Sequence, residues 1–170
     1  MTEAVLGVKV GDRAEFEKTV TAEDVARFAD VTGDTNPLHR DPVYAAKTRF
    51  GQCIAHGMLS AGFISAALGT KLAPNCCVIY LSQSLRFLRP VKVGETIRAV
   101  AEVKGTDPQK RIVTLETDCY NQDGEPVVFV VSPAYARIAH AQGMKALEDF
   151  LSERTGLAVK VRSAESSVEA

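Results

Sequence analysis

Between Gly33 and Gly51 the chain reads GDTNPLHRDPVYAAKTRFG, setting a carboxylate, Asp34, five positions ahead of an imidazole, His39. The residue before a proline is pushed toward extended backbone, so Asn36 ends any helix arriving from the N-terminal side and Pro37 starts a new turn. Asp34 and His39 can then converge from a loop instead of diverging around a helix. A carboxylate and an imidazole within reach of one water can position it, take its proton and return a proton elsewhere. A plainer reading competes: Asp34 caps a turn and His39 lies on a loop surface. Spacing alone leaves both open.

A second place for chemistry follows at His56-Gly57, where an uncharged segment begins. The first amides of a helix are unpaired and its dipole favours negative charge there. Gly57 has no side chain to hold a ligand off its backbone, so its amide can face an oxygen on which charge is growing. His56 reads as a capping or packing residue beside the glycine. The four cysteines, Cys53, Cys76, Cys77 and Cys119, form no CxxC pair and no Cys/His spacing of the zinc type, so no metal site is expected. Cys53 reads as an inert, partly buried thiol, and a strained disulfide between Cys76 and Cys77 is not expected in a reducing compartment. Arg86, Arg89 and Lys92 either meet the phosphates of a ligand or end their strand in solvent.

The elements that must position these groups are legible in outline. Arg13 to Thr19 alternates and reads as a short strand. Thr21 and Asp24 form a capping pair, Val25, Phe28 and Ala29 recur at helical spacing, and Gly33 stops the helix. Asp41 as N-cap and Pro42 at the first helical position start another helix, ending near Arg49 to Gly51. HGMLSAGFISAALGTKL carries no charge from Gly57 through Thr70, so it predicts a central core helix, too short to cross a membrane and buried on nearly all sides. Four runs rich in branched and aromatic residues follow: CVIYLSQSLRFL, ETIRAVAEVKG, RIVTLETDCYN and PVVFVVSPAYARI. Breakers separate them, which predicts four strands, most simply an antiparallel meander. Met144, Leu147, Phe150 and Leu151 form one stripe of a terminal helix, and SAESSVEA is a disordered tail. There is no convincing internal repeat.

With 170 residues, 46% of them hydrophobic, the chain suits one domain that buries roughly two thirds of its unfolded surface. Twenty basic against 21 acidic residues give a net charge of -1, so nothing favours nucleic acid or an anionic membrane as partner. The N-terminus, charged throughout, lacks the apolar core of a secretory signal, and a cytoplasmic setting is expected.

GDTNPLHRDPVYAAKTRFGQCIAHGML resembles the hydratase motif of the MaoC-like, R-specific enoyl-CoA hydratases, and the similarity extends through SAGFISAALG to YLSQSLRFLRPVKVGETI. It covers about residues 10 to 138, and D-x-N-P-L-H, D-P-x-x-A and I-x-H-G-M at these spacings are a specific combination. The resemblance implies an α+β hot-dog fold, a curved antiparallel sheet wrapped around a long helix, with an overhanging segment at about residues 31 to 55. It implies a hot-dog domain over 1–139; the chain from His140 departs from the shortest family members, and its own pattern gives a C-terminal helical extension over 140–162 and a disordered tail over 163–170. It also implies that Asp34 and His39 are catalytic, that Gly57 supplies an oxyanion-hole amide, that Ser65 supports the aspartate, and that Asn36 and His56 support the loop. The implied reaction is hydration of a trans-2-enoyl-CoA to the (R)-3-hydroxyacyl-CoA by a homodimer or higher homo-oligomer, with no metal or other cofactor. Two alternatives stand beside it: a dehydratase acting on acyl-carrier-protein (acyl-ACP) thioesters, and a hot-dog thioesterase or non-catalytic acyl-thioester binding module.

Overall fold

The structure, a computed structural model, describes residues 4–140. Strand β1 is Arg13–Thr19, followed by helices α1, Ala22–Thr32, α2, Pro37–Arg40, α3, Pro42–Ala46, and α4, Gly57–Ala67. A π-helical turn, Leu68–Leu72, extends α4 before β2, Cys76–Phe87, β3, Thr96–Asp107, β4, Ile112–Tyr120, and β5, Pro126–His140. The tail helix expected from Met144 and the disordered tail lie outside the described residues.

Local chemistry sets the helix ends as the sequence predicts. Asp24 N–H donates to Thr21 Oγ1 at 3.1 Å and Thr21 N–H donates to Asp24 Oδ2 at 2.9 Å, a reciprocal cap. Gly33 closes α1 in the left-handed region, φ 79°, with its N–H on the Ala29 carbonyl at 2.8 Å. The helix expected from Asp41 is shorter than predicted, ending at Ala46, because Lys47 and Thr48 turn back onto the carbonyls of Tyr44 and Ala45.

Among the described residues the sheet has five strands in the order β1-β3-β4-β5-β2, with every neighbouring pair antiparallel. The simple meander therefore holds only for β3, β4 and β5. Strand β2 lies at the far edge, because β5 is long enough to pair with β4 on one side and β2 on the other. The chain from Leu88 to Glu95 then runs along the end of the sheet. It is fastened by Leu88 N–H on the Val127 carbonyl, Ala55 N–H on the Val91 carbonyl, and Val20 N–H on the Glu95 carbonyl.

Helix α4 packs against β1, β3, β4 and β5, the hot-dog arrangement. Strand alternation supplies the facing surface: Ile97, Ala99, Ala101 and Val103 on β3 and Val113, Leu115, Thr117 and Cys119 on β4 are essentially inaccessible. Ser60, Ala61, Phe63, Ile64 and Ala67 form the buried face of α4. Burial on nearly all sides does not hold within one chain, since Met58, Gly62 and Ser65 stay exposed on the opposite face. An uncharged helix has no polar stripe to mark which side meets the sheet.

Candidate active site

Gly33 ends α1 and releases the chain into the loop that carries Asp34. There Asp34 Oδ1 accepts Asn36 N–H at 3.3 Å, and Asn36 Oδ1 in turn accepts Leu38 N–H at 3.0 Å as the N-cap of α2. Pro37 takes the first helical position, where its missing N–H costs nothing. Asp41 then serves two helices: its N–H closes α2 on the Pro37 carbonyl at 2.9 Å, and its Oδ1 caps α3 by accepting from Val43 and Tyr44. His39 therefore sits on one helical turn clamped at both ends.

The ring of His39 is fixed from across the fold. Its Nδ1 lies 2.7 Å from the Ile54 carbonyl, and a carbonyl only accepts, so Nδ1 carries the proton and Nε2 keeps a lone pair. Ile54 is held by its bridge to Lys92 on the segment along the sheet end. His56 is the N-cap residue of α4 but makes no side-chain cap bond. Instead its Nε2–H donates to the backbone carbonyl of Asp34 at 3.0 Å, and its ring stacks on His39 with centroids 3.8 Å apart and 28° between planes. Phe28 of α1 also packs on the His56 ring, tilted, with centroids 4.9 Å apart.

Asp34, His39 and His56 each offer an acid-base atom within 4.8 Å of the others. His56 is buried, His39 half-buried and Asp34 exposed, so the trio runs from core to surface. The His56 Nε2 that stands 3.9 Å from Asp34 Oδ2 is the protonated one, committed to a carbonyl. It therefore turns no lone pair toward a cation shared with that carboxylate, and the donor set suits proton transfer around a water better than metal ligation. His39 Nε2 and the Asp34 carboxylate are the two acceptors left for that water.

A cavity of about 360 Å³ opens beside this group, with His39, His56, Gly57, Ser60, Phe87 and Val128 in its wall. Gly57 is the first residue of α4, so its amide has no partner within the helix. A Cβ on Gly57 would lie 2.8 Å from Cδ1 and Cε1 of Phe87, so the absence of a side chain lets that ring pack against the helix start. Arg89 also borders the cavity, and it is engaged by the Pro126 carbonyl at 3.0 Å and Glu125 at 3.4 Å. Half-buried Cys53 borders a second cavity of about 500 Å³ on which His39 also abuts.

Of the residues named from the sequence, Asp34, Asn36, His39, His56 and Gly57 come together. Ser65 does not join them. It is exposed on α4, eight residues past Gly57, or about 12 Å along the helix axis, and makes no hydrogen bond to Asp34. The wall residues the sequence does not single out include Ser60, for which the signal is its place one turn after Gly57, and Phe87, whose contact with Gly57 is non-local and leaves no local trace.

A MaoC like domain matches residues 7–122. The (R)-specific enoyl-CoA hydratase of Rhodospirillum rubrum is 48% identical over 112 residues, 66% of this chain and 77% of that protein. The corresponding hydratase of Aeromonas caviae is 44% identical over 117 residues, 69% of this chain and 87% of that protein. Among solved structures, R-hydratase PhaJ1 from Pseudomonas aeruginosa in the unliganded form superposes with a TM-score of 0.73 at 40% identity, covering 81% of this chain and 86% of that one.

Proposed function

The chain belongs to the MaoC-like domain family, and on that premise we propose that it is an (R)-specific enoyl-CoA hydratase, a hydro-lyase that adds water reversibly to a trans-2-enoyl-CoA. The observation that carries this reading is the pair of acceptors with lone pairs to spare, the Asp34 carboxylate and His39 Nε2, beside an apolar cavity that has Gly57 in its wall.

The thioester oxygen accepts a hydrogen bond from Gly57 N–H, which draws electron density from the conjugated alkene. Water held between Asp34 and His39 gives up a proton to one of them as its oxygen bonds to the β carbon, and electrons move to the thioester oxygen. When they return, the α carbon takes the proton relayed from that pair, which restores the base, and the (R)-3-hydroxyacyl-CoA leaves. Holding water and alkene together supplies the proximity that free solution lacks. Asn36 and His56 are positioning residues: the first shapes the Asp34 loop, and the second ties the Asp34 backbone to the start of α4.

A homodimer fits the same surface. The outer edge of β2 is unpaired among the described residues, and Met58, Phe87 and Leu88 near it are 55%, 51% and 47% exposed. Ser65, on the open face of α4, would then act only from a second copy. Light scattering at the monomer mass of 18.3 kDa would reject the dimer. No helix among the described residues is long and apolar enough to cross a membrane.

The test is Asp34→Asn and His39→Ala assayed on crotonyl-CoA by loss of the conjugated-thioester absorbance. Each variant loses at least about 100-fold in kcat while its thermal midpoint stays close to wild type. Wild-type turnover in a folded variant removes that residue from the mechanism.

A further inference from the structure

Two buried side-chain atoms in the cavity wall have no hydrogen-bond partner among the described residues, His56 Nδ1 and Ser60 Oγ. Their residues are 4% and 1% exposed. A serine or threonine inside a helix either points to solvent or bonds the carbonyl four residues back. Thr32 does so on Phe28 and Thr70 on Ala66, both at 2.7 Å. Ser60 does not, and the His56 carbonyl four residues before it accepts Leu59 N–H at 3.0 Å. A hydroxyl kept from water and from its usual local partner carries a desolvation cost unless something else meets it.

The chemistry of the two atoms separates their uses. His56 spends its Nε2 proton on the Asp34 carbonyl, and in that tautomer Nδ1 is an acceptor that gives nothing to an oxyanion. Ser60 can donate. It follows Gly57 by three residues and so lies on the same helix face, and helical side chains lean toward the N-terminus. Its hydroxyl is thus carried toward the turn that the unpaired Gly57 amide opens.

We propose that Ser60 is a catalytic residue whose hydroxyl donates a second hydrogen bond, alongside the Gly57 amide, to the thioester oxygen as negative charge builds on it. This rests on the hydratase reading above. Charge on that oxygen is then shared by one backbone and one side-chain donor in a water-poor wall, where such donors act most strongly.

The experiment compares wild type, Ser60→Ala and Ser60→Cys in the full chain, by crotonyl-CoA kinetics, by thermal melting, and by the infrared carbonyl stretch of bound butyryl-CoA labelled with carbon-13 at the thioester carbon. In Ser60→Ala, kcat falls about 100-fold, with KM little changed. The thermal midpoint holds or rises, because an unpaired buried hydroxyl has been deleted. The carbonyl stretch of the bound thioester moves back toward its value in solution. Ser60→Cys, similar in shape with a weak donor, loses activity as well. A merely structural serine gives the opposite pattern, a lower midpoint with kcat and carbonyl stretch unchanged, and that result overturns the proposal. The hydratase reading fails separately: if wild type does not hydrate crotonyl-CoA yet shifts the butyryl-CoA carbonyl, and Ser60→Ala abolishes the shift, the serine contact stands and the reaction does not.

Discussion

Replacing Gly57 by alanine separates stability from catalysis at one atom. The added Cβ falls 2.8 Å from Cδ1 and Cε1 of Phe87 and 3.2 Å from its Cγ. Carbon atoms settle at about 3.5–4.0 Å, so the ring must retreat by roughly 1 Å. Phe87 is 51% exposed on an edge strand and can turn outward without tearing the core. Alanine in a helix gains up to about 1 kcal/mol over glycine, which offsets the displaced ring, so the net change in stability stays within about 1 kcal/mol. Catalysis responds differently. If a thioester oxygen approaches the Gly57 amide, the methyl stands in its way, and losing an oxyanion donor costs about 10² to 10³ in kcat, or about 3–4 kcal/mol of transition-state stabilisation. Crotonyl-CoA kinetics beside a thermal melt read both quantities on one preparation. The double variant Gly57→Ala/Phe87→Ala identifies the cause: removing the ring relieves the clash but leaves the methyl over the amide, so activity stays low. Gly57→Ala with kcat within threefold of wild type refutes the role given to this amide, and recovery in the double variant assigns the loss to the displaced ring.

Asp41→Ala removes one carboxylate oxygen that accepts both Val43 and Tyr44 N–H, so it costs about 1–2 kcal/mol in chemical denaturation and loosens the turn holding His39, lowering kcat with it. Asn36→Ala loses the cap on Leu38 N–H, costs about 1 kcal/mol, and reduces kcat more than KM if its part is to shape the Asp34 loop. Burial pushes the Cys119 thiol from 9.0 up to about 12, with Asp118 adding to the shift. The unfolded chain therefore releases this proton above pH 9 while the folded chain keeps it, so the thiol leaves stability flat below pH 9 and lowers it by about 1.4 kcal/mol per pH unit between 9 and 12. Denaturation midpoints from pH 8 to 11 check this, with Cys119→Ala flattening the decline; an unchanged slope in that variant assigns the loss elsewhere.

What the sequence conveys here is mostly what neighbouring residues decide among themselves. The Thr21 and Asp24 cap, the Gly33 stop, Pro37 after Asn36 and Pro42 after Asp41 all act within four residues, and each lies where its chemistry requires. The place of β2 depends on pairing with β5 some 50 residues later, which no local signal in CVIYLSQSLRFL records. The role of His56 depends on a bond to the carbonyl of Asp34, 22 residues away, so its sequence neighbours suggest only a cap. Ser60 and Ser65 are harder still to tell apart. Both sit on an uncharged helix whose composition does not distinguish the face toward the sheet from the open one, and only the packed structure puts Ser60 in the cavity wall and leaves Ser65 outside. The family motif identifies the acid, the imidazole and the glycine together because their spacing is itself the signal.

Incubating the wild-type chain with crotonyl-CoA in deuterium oxide, followed by chiral separation and mass analysis of the thioester, tests the proposed hydration most directly. The expected product is (R)-3-hydroxybutyryl-CoA with one deuterium at C2 and no release of free CoA. Free CoA with unaltered crotonate, or the S enantiomer, contradicts it.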